Sequence, residues 1–200
     1  MEVDIAGQTA EIAGEENAIL AAVVAALGAN GAAVLRAGIG REAGEGAPDI
    51  LILSHPLHPD AAGRPDDLAA LAEARAAAMV ARGSGRIVHL VSAAGLVPMR
   101  RHPAWSARHA GAIAAMRGLA MASGPAVQVN AVAVGHIEPD GPGEATGDAA
   151  MLTHVPLGRA GTAEDVAHAV LFLVDPLNSY TTGQSLAVDG GWTTGYGRNF

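Results

Sequence analysis

The sequence predicts an α/β chain built as a doubly wound parallel sheet, and three observations carry that prediction. Short apolar, β-branched runs alternate with longer segments of helical period. The short runs are almost continuously hydrophobic, as strands covered on both faces must be. Each helical segment is followed by Gly or Pro, residues that end helices.

The elements follow in order. NAILAAVVAALGANG (17–31) reads as a helix and AAVLRA (32–37) as the strand after it. DILIL (49–53) is a second strand-like run, followed by the helical DDLAALAEARAAAMVARG (66–83). RIVHLVS (86–92) leads into AWSARHAGAIAAMRGLAMASG (104–124), and VQVNAVAV (127–134) follows. TAEDVAHAVLFLVDP (162–176) carries a helix start, Thr162 with Glu164 and Asp165 behind it, and a stop at Pro176. QSLAVDG (184–190) is the last strand-like run. Only AGIGREAGEGAP lies between Arg36 and Asp49. A parallel crossover needs at least ~10–12 residues, and a further strand with its helix needs many more. The sheet is therefore expected to lack one edge strand. With no repeat and no linker, residues 1–200 read as a single domain.

Composition narrows the function. A net charge of −8 argues against a nucleic-acid partner. No apolar run approaches the ~18–20 residues that span a bilayer. The start, MEVDIAGQTAEIAGEEN, lacks the basic-then-apolar layout of a secretory signal, so a cytoplasmic location is expected. Cysteine is absent, which removes thiol chemistry and thiolate metal sites. HPLHPD (55–60) offers His55, His58 and Asp60 but no well-spaced further ligand, and no metal is expected. MRRH (99–102) reads as solvated loop charge, with attraction of an acidic or phosphate-bearing substrate as the alternative.

Three longer motifs carry a resemblance. GRIVHLVSAAG, VNAVAVGHIE and PLGRAGTAEDVAHAVLFLVDPLNSYTTGQSLAVDGGW resemble, in order, segments of the short-chain dehydrogenase/reductase family. The likeness is close over 85–200 and weak over the shortened 1–84. It implies a Rossmann-like fold with about six strands here, and NAD(P)-dependent hydride transfer in the family at large. It also implies a catalytic tyrosine, a lysine one turn later that lowers its pKa and holds the ribose, and a serine that binds the substrate oxygen.

At those positions stand Trp105, His109 and Ser92. Indole N–H donates but does not ionise usefully, so Trp105 cannot relay a proton as tyrosine does. His109, at i+4 from Trp105, is a legitimate general acid; it reads either as a substitute paired with Ser92 or as an interior or interface histidine. Ser92 reads equally as an oxygen donor or as a turn residue ending a strand.

The cofactor side departs further. The family's glycine-rich phosphate turn has its nearest counterpart in AGEENAIL, where Gly14 keeps the first glycine while Ala18 and Leu20 replace the others. Leu20 is expected to crowd the phosphate path. Glu15 and Glu16 add carboxylates beside an anion site. Leu53, Ser54, His55 and Pro56 stand where the family has N-N-A-G. Val134 replaces a proline, Pro139 a threonine, and Arg64 falls near a helix asparagine. Arg36 reads as a surface charge.

These substitutions predict that no cofactor binds in this chain. The resemblance implies pairing through helices 66–83 and 104–124 and through the C-terminal tail. The second helix carries Ala104, Ala107, Ala110, Gly111, Ala114, Ala115, Gly118 and Ala122, small residues suited either to an interface or to packing inside one domain. The expectation is a catalytically inactive subunit that pairs with an active relative, which holds NAD(P), in a hetero-oligomer. The alternative is a non-redox enzyme of dehalogenase or lyase type, or a partner-completed reductase, using Ser92 and His109.

Overall fold

The computed structural model describes residues 1–36, 47–59, 65–138 and 152–195. Its strands are β1 (Thr9–Gly14), β2 (Ala33–Arg36), β3 (Ile50–Ser54), β4 (Gly85–Ser92), β5 (Val127–Val134) and β6 (Ser185–Val188). Its helices are α1 (Ala18–Ala29), α2 (Pro65–Arg82), α3 (Pro103–Ser123) and α4 (Ala163–Val174). Among the described residues the strands form one six-stranded sheet, every pair parallel, in the order β2-β1-β3-β4-β5-β6. The doubly wound sheet with about six strands is thus the observed one, and β2 forms an edge of it.

Alternation along the strands explains the two layers. Ile12, Ile50, Ile52, Val88, Leu90 and Val132 point to one face, where Leu20, Val23 and Leu27 of α1 and Val166 and Val170 of α4 meet them. Leu51, Leu53, Ile87, Val91 and Val129 point to the other, beneath Leu68, Ala72 and Met79 of α2 and Ile113 and Met116 of α3. Full burial of each large aliphatic side chain contributes about 1.5–3 kcal/mol, so both sheet faces are needed to hold the helices. At the start of α4 the expected signal closes as a capping box. Thr162 Oγ1 accepts the N–H of Asp165 at 3.2 Å, and Asp165 Oδ2 accepts the N–H of Thr162 at 2.9 Å.

Strand β1 is the element absent from the runs read off the sequence. Its apolar pattern is broken by Glu11, which is only 8% exposed on the α2–α3 face. Arg75 of α2, 7% exposed, supplies the counter-charge in a bidentate pair at 2.5 and 2.6 Å. Among the described residues, no helix is long and apolar enough to cross a membrane.

The strand order reverses between β1 and β3. The carboxyl ends of these two strands are where open α/β sheets bind their ligands.

Candidate functional site

At that edge, β1 ends at Gly14 and α1 begins at Ala18, leaving Glu15, Glu16 and Asn17 as the whole connection. Gly14 has φ +107°, and a Cβ there would lie 2.0 Å from the carbonyl oxygen of Ser54. Only glycine allows β1 and β3 to close this tightly. The N–H of Glu15 donates to that same Ser54 carbonyl at 2.8 Å.

The N-terminus of α1 is served by its own chain. Asn17 is the N-cap, and its Oδ1 accepts the N–H of Leu20 at 2.8 Å. Glu15 Oε2 accepts the N–H of Leu57 at 3.1 Å. Glu16 pairs with Arg36 at the end of β2, both exposed. The surface reading of Arg36 is thereby given a partner.

The expected crowding by Leu20 is corrected here. Ala18 and Leu20 keep the spacing from Gly14 read in the sequence, but the Leu20 side chain turns into the core and not into that path. Both belong to α1, and Leu20 is 2% exposed in the core. Ser54 ends β3 fully buried, and its hydroxyl has no hydrogen-bond partner among the described residues.

The loop after β3 is tied from the other side by α3. His109, 1% exposed, accepts the backbone N–H of Ser92 at 3.1 Å through Nδ1. Its Nε2 lies 3.0 Å from the carbonyl of Pro56 and must therefore carry the hydrogen that this bond needs. Burial pushes the His109 pKa down to about 4. The ring is neutral near pH 7, and both nitrogens serve main-chain groups. Ser92 Oγ is occupied locally, accepting the N–H of Ala94 at 3.2 Å in the turn that follows β4. Ser92 and His109 are brought together, but through the serine's main chain.

Trp105 is 9% exposed, edge-on to His109 with ring centroids 4.9 Å apart, and its Nε1 has no partner among the described residues. Beyond His109 lie two histidines whose association was not foreseen. His55 stacks on His89 at 5.4 Å, and His55 Nε2 meets His89 Nδ1 at 3.1 Å. Burial pushes His55 down to about 4 and His89 to about 3, helped in each case by a neighbouring histidine. His89 was signalled in the sequence, as one polar residue on the β4 face that also presents Ile87 and Val91.

The remaining candidates fall as follows. Val134 is buried in the core. Arg64, Pro139, Asp60 and the end of the C-terminal tail, residues 196–200, lie outside the described residues. No group of three or more His, Asp or Glu that could hold a metal occurs among the described residues. Trp192, at the start of the C-terminal tail, is half-buried and packs against the core on the α2–α3 face.

The comparisons with known proteins can be set against this geometry. A family profile described as enoyl-(acyl carrier protein) reductase matches residues 68–193, beginning in α2 and so leaving out the β1–α1 connection. The 3-oxoacyl-(acyl-carrier-protein) reductase FabG of Chlamydia pneumoniae is 39% identical over 118 residues, which cover 58% of this chain and 48% of the relative. The 2-(S)-hydroxypropyl-CoM dehydrogenase 3 of Xanthobacter autotrophicus is 37% identical over 130 residues, covering 60% of this chain and 51% of the relative. The chain thus spans about half the length of the curated relatives it matches.

Solved structures share the fold. A gluconate 5-dehydrogenase from Burkholderia cenocepacia, in complex with NADP and tartrate, superposes with a TM-score of 0.77 at 22% identity, covering 96% of this chain and 97% of that one. A short-chain type dehydrogenase/reductase from Mycobacterium ulcerans gives 0.75 at 23% identity, covering 99% and 94%. The extent of the profile match, together with these relatives, makes the chain a member of the short-chain dehydrogenase/reductase family.

Proposed function

We propose that this chain is a catalytically silent subunit of an oxidoreductase assembly. It pairs with an active NAD(P)-dependent member of its family, which carries the cofactor and the chemistry. The observation that carries this reading is the closure of the sheet's carboxyl edge by the chain's own groups. Glu15 takes the N–H of Leu57, His109 takes the carbonyl of Pro56, and Asn17 caps α1. A pyrophosphate needs free N–H groups at a helix N-terminus and a glycine-lined approach. Asn17 takes up the N–H of Leu20, the connection beyond Gly14 lacks the glycines of that approach, and Glu15 and Glu16 set carboxylates beside it. The residues present do not fit a dinucleotide.

Proton relay is equally unsupported. Trp105 has no ionisable group of use, and His109 has no free nitrogen. The dehalogenase or lyase alternative depends on that same histidine and is not favoured.

The pairing surface is supported by α3. The eight small residues singled out in the sequence, Ala104, Ala107, Ala110, Gly111, Ala114, Ala115, Gly118 and Ala122, are exposed, while Ala120 turns inward with Trp105, His109, Ile113 and Met116. Packing inside one subunit therefore does not account for them. The relatives act, by their names, on carrier-linked oxoacyl and CoM-linked hydroxypropyl groups. Carrier-linked ketoacyl groups are accordingly the substrate class proposed for the partner, and CoA-linked hydroxyacyl groups are added by analogy with the family alone.

Co-expression of the full chain with an active ketoacyl reductase of the family, followed by native mass spectrometry, tests the proposal. A mixed oligomer that dissociates on Gly111→Trp is expected. A lone homo-oligomer that reduces a carbonyl substrate with NADPH contradicts it.

A further inference from the structure

Between α2 and α3 the structure holds a groove of about 310 Å³, at the lower end of the range of small-molecule sites. Ala72, Ala107, Ala115 and Met116 form much of its wall. Its polar lining is limited to His55, His89, Glu73 and Arg108. An apolar wall alone would indicate nothing, because small residues also suit helix contacts. His89 makes the difference.

The His89 ring is 4% exposed, and its Nδ1 is engaged by His55 at 3.1 Å. Its Nε2 is shut off from water and has no hydrogen-bond partner among the described residues. Leaving a buried imidazole nitrogen unpaired costs about 1–3 kcal/mol, and the groove is an open space that this ring lines.

The direction of the His55–His89 bond decides what Nε2 offers. If His55 donates, His89 carries its hydrogen on Nε2 and needs an acceptor. If His89 donates, Nε2 is bare and needs a donor. A hydroxyl serves both cases, since it donates and accepts. Glu73 and Arg108, both exposed at the groove, carry opposite signs, so neither an anion nor a cation gains from the pair together. Met116, an unbranched thioether in the wall, can yield to let a head group reach the ring.

We propose that the α2–α3 groove is a binding site for a small, neutral, mainly apolar molecule with one hydroxyl, which hydrogen-bonds to His89 Nε2. The site lies in the seam between the helices, and its occupancy is independent of the cofactor question. Its wall includes Ala107, Gly111 and Ala115, which also belong to the face proposed for pairing, so a ligand there lies at that interface.

Phenol and toluene, alike in shape and differing by the hydroxyl, are suitable probes. Each is titrated into the full-length, 15N-labelled chain while the histidine ring nitrogens are followed by NMR, with His89→Gln used to assign the His89 signals. Phenol is expected to move those signals and to bind at least about tenfold more tightly than toluene, the difference one added hydrogen bond makes. Gly111→Met fills the groove while leaving His89 in place. A Cβ at Gly111 meets nothing within 4 Å, so the variant should keep its fold by thermal melt and lose phenol binding. Four results overturn the proposal: equal affinity for the two probes, an unmoved His89 signal, phenol binding that survives in folded Gly111→Met, or sedimentation showing a second copy of the chain excluding phenol from the groove.

Discussion

His109 Nδ1 accepts the backbone N–H of Ser92 at 3.1 Å, so two positions aligned with catalytic ones are joined through the main chain. The other ring nitrogen reaches the carbonyl of Pro56, and one side chain thereby fastens β4, α3 and the loop after β3 together. His109→Leu should remove both bonds and leave two buried main-chain groups unpaired. The expected destabilisation is about 2–4 kcal/mol in urea unfolding, with a smaller loss for His109→Gln. A stability change within about 0.5 kcal/mol for His109→Leu would argue against this fastening role.

The three buried histidines also set a pH dependence. Their ordinary value is 6.5, and burial pushes His55 and His109 to about 4 and His89 to about 3. In the folded state they are neutral where the unfolded chain is already protonated. Their contribution is therefore fully present above pH 6.5 and is lost as pH falls from there toward 4 and below. Each neutral histidine lowers stability by up to about 1.4 kcal/mol per pH unit in that window. Denaturation midpoints measured from pH 7.5 to 4.5 should fall steeply below 6.5, and His89→Gln should flatten the slope.

Glu11 and Arg75 form a second buried polar contact, between β1 and α2. Removing one partner strands the other charge, and Arg75→Met or Glu11→Leu alone should each destabilise by about 3–5 kcal/mol. The double substitution Glu11→Leu/Arg75→Met should cost less than the sum of the two, because no charge is left behind. Additive losses in a double-mutant cycle would show that the pair is not coupled.

Gly14 is the tightest point of the edge. With φ +107° and a Cβ position 2.0 Å from the Ser54 oxygen, Gly14→Ala must push β1 away from β3 or leave the strand ends unpaired. Loss of at least about 2 kcal/mol is expected in thermal or urea unfolding. Gly111→Ala, where a Cβ meets nothing within 4 Å inside a helix, is the control and should stabilise slightly, by about 0.5–1 kcal/mol.

Much of the fold was legible because its signals are local. Continuous apolar runs gave β2 to β6, and Thr162 with Asp165 marked the start of α4. The shortage of residues between Arg36 and Asp49 gave the small strand count. Strand β1 was obscured because Glu11 interrupts it, and the arginine that makes Glu11 tolerable lies 64 positions away.

Of the site, the replacements at Trp105 and His109 could be read directly from motif spacing. The direction of the Leu20 side chain could not, because it depends on which face of α1 the sheet covers. Asn17 before an apolar run was the local cue that the helix starts there. The His55–His89 pair depends on strand register and a loop path, neither of which is written in neighbouring residues.

The most direct measurement is calorimetric titration of NAD(H) and NADP(H) into the isolated, folded chain. The account predicts no binding tighter than about millimolar for any of the four, because α1 is capped by Asn17 and the loop after β3 is held by Glu15 and His109. A stoichiometric, micromolar-range isotherm for any of them would contradict it.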